Sequence, residues 1–85
     1  MDLKIIETIL ISDDAVNHKI LLNTITNILK DCDNKLICEL FQLTKPYQKK
    51  GNKPQKSIFY KVYLVAKERN LTYKKNNTIH IYNLG

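Results

Sequence analysis

Along the first stretch, Leu3 to Ile11, apolar residues stand at positions 5, 6, 9 and 10 among many β-branched side chains, a spacing that suits a strand or a helix equally. The stretch stays open between the two, so an N-terminal strand is one outcome. Ser12, Asp13 and Asp14 follow, with oxygens that can cap a helix and negative charge suited to its start. From there Leu21, Ile25, Ile28, Leu29 and Cys32 keep the spacing of a core-facing helical stripe. That helix ends around 31 to 34, where Asp33 or Asn34 can cap a second, shorter one. Its buried face is Leu36, Ile37, Leu40 and Phe41, and it runs out near Leu43.

Residues 44 to 56 hold both prolines, a glycine and five lysines, so they read as a mobile basic loop. A third helix begins near Pro54 or Ser57 and ends at Arg69, with Asn70 suited to the left-handed position that closes a helix. Ile58, Val62, Val65 and Ala66 share one side of it, with Phe59 at the edge. Ser57, Tyr60, Tyr63, Leu64 and Lys67 share the other, flanked by Lys61. Two β-rich runs, Leu71 to Lys75 and Thr78 to Tyr82, then flank Asn76-Asn77 and predict a hairpin, because Asn tolerates the positive φ of a tight turn. A strict two-residue turn sets Tyr73 opposite His80. A longer or bulged turn aligns Leu71 and Tyr73 with Ile79 and Ile81 and is preferred, since it gathers the apolar side chains on one face. The expected fold class is α+β: three helices and a C-terminal β-hairpin in a single domain spanning 1 to 85.

Charge changes this picture more than composition does. Residues 1 to 43 carry four Lys against seven acids, a net −3, whereas residues 44 to 85 carry nine Lys and Arg69 against Glu68 alone, a net +9. Such asymmetry is the footprint of a nucleic-acid binder, because phosphate neutralisation and counterion release supply most non-specific affinity. A lysine-rich face that only keeps the protein in solution is the plainer alternative.

Other classes of function find little support. No apolar run approaches the roughly 18 to 20 residues of a membrane span, and the N-terminus lacks the features of a signal peptide, so a cytoplasmic protein is expected. Cys32 and Cys38 lie far from His18 and His80, so a zinc site is disfavoured and two reduced thiols acting as small apolar groups are expected. His18 sits beside Lys19, away from the core stripe, and His80 falls in a strand; neither has a nucleophile or carboxylate close in sequence. Two glycines are too few for a phosphate-cradling loop. No catalytic residue, metal, cofactor or small-molecule ligand is expected. The richness in Lys, Asn and Ile suggests an A/T-rich genome, as in low-GC bacteria, archaea or their plasmids and phages.

Three helices followed by a hairpin with a basic tip resemble the winged helix-turn-helix superfamily over residues 14 to 83. The resemblance lies in element order and charge placement, without a diagnostic motif. It implies that residues 57 to 67 form a recognition helix for the major groove of double-stranded DNA, and that Lys74, Lys75, Asn76 and Asn77 form the tip of a wing. Lys61, Lys67, Lys74 and Lys75 suit phosphates, Ser57, Tyr60 and Tyr63 suit phosphates or base edges, and Leu64 suits either a thymine methyl or a protein contact. The ten to thirteen residues between second and third helices depart from the short turn of the family, and Lys45, Lys49, Lys50, Lys53 and Lys56 can make contacts of their own there. The implied function is site-specific duplex binding as a homodimer joined by the acidic, Ile-rich N-terminal segment. A transcriptional regulator fits, as does a partition or relaxosome factor of a mobile element. RNA or single-strand binding through Tyr47, Tyr60, Tyr63 and Tyr73 is one alternative, and a protein-interaction module is another.

Overall fold

The structure is a computed structural model and describes residues 2–82. Residue 83, the end of the stretch that carries the resemblance, lies outside them. Chain order is α1 (Leu3–Ile11), α2 (Ala15–Ile28), α3 (Asn34–Thr44), α4 (Tyr47–Lys50), α5 (Lys53–Glu68), β1 (Thr72–Lys75) and β2 (Thr78–Ile81).

The open first stretch is a helix, not a strand. Asp2 caps it by accepting from the Lys4 N–H at 2.9 Å, and Ile6 and Leu10, four residues apart, are buried on one face. Within Leu3–Ile11 there is no strand to pair with. Asp14 caps α2 by accepting from the Val16 and Asn17 amides, and Asp33 caps α3 by accepting from the Leu36 amide at 2.8 Å. Three of the acids in the negative half thus satisfy helix-start amides that would otherwise lack partners.

Residues 44 to 56 are not a loop throughout. Pro46 stands in helical conformation ahead of the one-turn helix α4, and α5 begins at Lys53, before either position expected for it. Asn52 and Gln55 form a reciprocal capping box: the Gln55 amide donates to Asn52 Oδ1 at 2.9 Å, and the Asn52 amide donates to Gln55 Oε1 at 2.8 Å. Pro54 sits in the first turn, where its missing N–H costs nothing. Gly51 is needed between the helices, since a Cβ there would stand 2.6 Å from the Tyr47 carbonyl oxygen and 2.9 Å from Gln55 Cβ.

One apolar cluster joins the elements. It is built from Ile6 and Leu10 of α1, Leu21, Ile25 and Leu29 of α2, and Ile37, Cys38, Leu40 and Phe41 of α3; α5 adds Ile58, Phe59, Val62 and Ala66. Cys32, Leu36 and Val65, expected on buried faces, are half-buried at its margin, and Ile28 is half-buried as well. The buried face of α5 turns toward Phe59, whose ring lies 5.3 Å from that of Phe41. α5 packs against both α2 and α3.

α5 closes as expected. Asn70 takes φ 59°, and the Leu71 amide donates to the Ala66 carbonyl at 2.9 Å, the six-to-one bond of a Schellman motif. Leu71 is buried there, ahead of β1. The hairpin corrects the preferred register: Tyr73 pairs with His80, Thr72 with Ile81 and Lys74 with Ile79, across a strict two-residue turn. Asn76 and Asn77 both have positive φ, 53° and 64°, which makes a type I′ turn whose twist matches that of the strands. Since Leu71 is already buried as the residue after the helix cap, it has no need of a ladder position beside Ile79 and Ile81. Ile81 faces the core and β2 lies against α3, while Tyr73, His80 and Tyr82 stack on the other face with ring centroids 5.3 and 4.8 Å apart.

His18 is also corrected. It is 1% exposed and extends the stripe of Leu21 and Ile25 by one turn. Its Nε2 lies 3.0 Å from the Ile9 carbonyl, which can only accept, so Nε2 carries the proton; Nδ1 then accepts from Asn52 Nδ2 at 2.8 Å. Gln55 Nε2 comes within 3.4 Å of His18 Nε2, but both carry protons, and the Gln55 amide donates instead to the Leu10 carbonyl at 2.6 Å. The end of α1, the start of α2 and the start of α5 are joined by this polar cluster. Among the described residues, no buried side-chain nitrogen or oxygen lacks a partner.

Candidate nucleic-acid interface

The outer side of α5, the one-turn helix α4 and the hairpin form a single basic surface. The capping box sets the start of α5, so Lys53, Lys56 and Ser57 fall within its first two turns while Ile58 and Phe59 point inward. Tyr60 and Tyr63 follow on the outer side, with ring centroids 6.3 Å apart. These five side chains meet Gln48 of α4, the edge of Phe59 and Ile79 of β2 around an open groove of about 610 Å³. A neighbouring groove of about 420 Å³ brings Lys45 and Lys49 beside Gln48 and Thr78.

The remaining predicted residues lie around this centre. Lys50 Nζ sits 5.3 Å from the centre of the Tyr47 ring, and Lys67 Nζ sits 5.9 Å from that of Tyr63. Each ammonium is held over a π-face and stays exposed. Lys61 is exposed further along α5, and Lys74, Lys75, Asn76 and Asn77 are exposed at the hairpin tip, outside both grooves. Gln48, Thr78 and Ile79 were missed from the sequence. Gln48 needed the helix inside the supposed loop, and Thr78 and Ile79 needed the register of the hairpin. Leu64 is exposed on the outer side of α5.

The single arginine belongs to the scaffold. Arg69 Nη1 donates to the Cys32 carbonyl at 2.7 Å and to Asn34 Oδ1 at 3.0 Å, which ties the end of α5 to the turn between α2 and α3. Burial pushes the nearby Cys32 thiol above its ordinary range, with Arg69 pulling the other way. Glu68 is the one acid in residues 44–85, at the far end of α5 from the grooves. The surface is therefore positive along the start of α5, α4 and the tip of the hairpin.

The chain matches no known protein family, no characterised protein and no solved structure. Function has to be argued from the surface itself. Among the described residues, no helix is long and apolar enough to cross a membrane, and no group of three or more His, Cys, Asp or Glu side chains could hold a metal ion.

Ammonium groups beside tyrosines, a serine hydroxyl and a glutamine amide can neutralise phosphates and donate to their oxygens. The same groups offer no nucleophile held by a base.

Proposed function

We propose that this chain binds double-stranded DNA in the manner of a winged helix, with α5 in the major groove and the hairpin tip on the backbone. One observation carries the reading: the nine lysines of residues 44–85 are carried on α4 and the turn before it, on α5 and on the hairpin, and α4 and α5 line the same groove as β2. The chain order supports it, since α5 packs on α2 and α3 and runs through one tight cap into the hairpin. With α4 and the early start of α5, the connection from α3 is a built helical turn in place of a long loop. Lys45, Lys49, Lys53 and Lys56 then approach phosphates beside the recognition helix, and Lys74 and Lys75 approach them from the wing.

The protein acts as a homodimer in this reading, because paired half-sites multiply the limited readout of one helix. Ile5, Ile11, Val16 and Ile20 on α1 and α2 support the pairing, each more than half exposed. Asp2 and Lys4 stand beside Ile5, so two copies can pair opposite charges there. Function as a transcriptional regulator, or as a partition or relaxosome factor of a mobile element, is consistent with this reading.

Salt dependence of binding to a short random duplex tests it. Affinity should fall steeply, with a log–log slope of about −0.9 for each phosphate neutralised. Lys56→Ala and Lys74→Ala should each flatten the slope by about one such unit, and Lys4→Ala should leave it unchanged. Flat, weak binding to every duplex would reject the proposal.

A further inference from the structure

We infer that the groove between α4, α5 and β2 is a seat for one unpaired nucleotide, so that the preferred target is a duplex interrupted by an unpaired base. This rests on the nucleic-acid reading above and names what that surface selects.

Size and chemistry lead to this assignment. At about 610 Å³ the groove falls in the range of roughly 300 to 1,000 Å³ typical of small-ligand sites, and it is open to solvent, so a base carried on a strand can enter it. Its floor is apolar, made by the edge of Phe59 and by Ile79. Tyr60 supplies the π-face: it is 56% exposed, so its ring is open to a partner, whereas the Tyr63 ring is stacked with Phe59 and carries the Lys67 ammonium. Lys53 and Lys56 bring two positive charges to the rim, Ser57 and Gln48 bring neutral hydrogen-bonding groups, and among the described residues no carboxylate lines the groove. A planar ring carrying an anion is the ligand that satisfies all of these at once. A paired base is stacked inside its duplex and cannot reach such a seat, whereas an unpaired one can leave the stack at modest cost.

The neighbouring groove indicates that the nucleotide belongs to a strand. Gln48 lines both grooves, and beyond it Lys45 and Lys49 continue the positive surface toward Thr78. A free mononucleotide has one phosphate group and would use only the first pair of lysines; a strand has further phosphates to place on the second pair.

Fluorescence anisotropy with three labelled DNAs tests the inference: a fully paired duplex, the same duplex with one bulged nucleotide, and the same bulge with its base removed. The bulged duplex should bind about tenfold more tightly than the paired one, as expected for one base stacked on an aromatic side chain, and the abasic bulge should return to the paired value. Tyr60→Leu should erase the ratio of bulged- to paired-duplex affinity at unchanged thermal stability, and Tyr60→Phe should keep that ratio. Equal affinity for paired and bulged duplexes would overturn the inference and leave the duplex reading standing. Failure to bind any of the three would remove the reading on which it rests. Binding of free nucleoside monophosphate with no gain from the bulge would also overturn it, assigning the groove to a small molecule.

Discussion

Replacing Gln55 by Met removes two hydrogen bonds from the polar cluster under α5 while keeping the side chain unbranched and close to its length. The Leu10 carbonyl loses its donor at 2.6 Å in a buried position, and a buried acceptor left unpaired costs about 1–3 kcal/mol. The Asn52 amide loses its acceptor at 2.8 Å, half of the capping box, for about 0.5–1 kcal/mol. Burying a thioether in place of an amide returns about 1 kcal/mol. The net loss is about 2 kcal/mol, which lowers Tm by about 10 °C in a chain of this size. Thermal and urea unfolding followed by circular dichroism would measure it.

Gln55→Glu sharpens the test. A carboxylate still accepts from the Asn52 amide but cannot donate to Leu10, and it sets negative charge against a carbonyl oxygen. The charged form is disfavoured in the folded state, so the carboxyl there titrates above its unfolded value near 4.3. Relative to the wild type at each pH, Q55E should therefore be most stable below about pH 4, and should lose that stability as pH rises through the folded value. Q55M should show no such trend. A loss under 0.5 kcal/mol for Q55M, or a Q55E difference independent of pH, would refute the assignment of the Gln55 amide as donor to Leu10.

Two further predictions address the turn and the pairing surface. Asn77→Gly should keep or slightly raise Tm, because glycine accepts φ 64° without strain, whereas Asn77→Ala should cost about 1 kcal/mol; equal values for both variants would contradict the type I′ turn. Ile5→Lys with Ile20→Lys should convert a dimer to a monomer in sedimentation velocity at unchanged Tm, and a wild-type chain that sediments as a monomer at every concentration would refute pairing through α1 and α2.

Local periodicity made much of the fold legible. The stripe of Leu21, Ile25 and Leu29, the face of Ile37, Leu40 and Phe41, and the Asn70 cap all depend on neighbours within a few residues. What stayed open or was overturned is what a distant partner decides. Leu3–Ile11 has no local preference, and burial of Ile6 and Leu10 in the shared core makes it a helix. His18 is polar but satisfied from 9 and 34 residues away in sequence, so it could join a core stripe that seemed closed to it. Proline, glycine and lysine marked 44–56 as a loop; the capping box of Asn52 and Gln55 outweighed that composition because both of its bonds are local and reciprocal. An S/T/N-x-x-E/Q pattern is readable in Asn52-Lys-Pro-Gln55, with Pro54 in the first turn, and would have placed the start of α5 correctly. The candidate surface was legible as charge. Its concavity was not, since Gln48, Phe59 and Ile79 meet only when α4 and the hairpin are in place.

In the proposed reading the two halves of the chain differ in task as well as in charge. α5 is tied to the negative half at both ends: at its start through Asn52 and Gln55 to His18 and the Leu10 carbonyl, and at its end through Arg69 to the Cys32 carbonyl and Asn34. Those bonds end on α1, on α2, on the turn after α2 and on the first residue of α3, and none uses a groove lysine. The polar side chains that orient the helix are thus separate from those displayed on it. Lysine is suited to the display, since a flexible stem and a point charge can follow a phosphate without a fixed geometry, and arginine, with its rigid planar fork, is suited to a fixed tether. That division accounts for a basic surface with thirteen lysines in the chain behind it and one arginine that faces the other way.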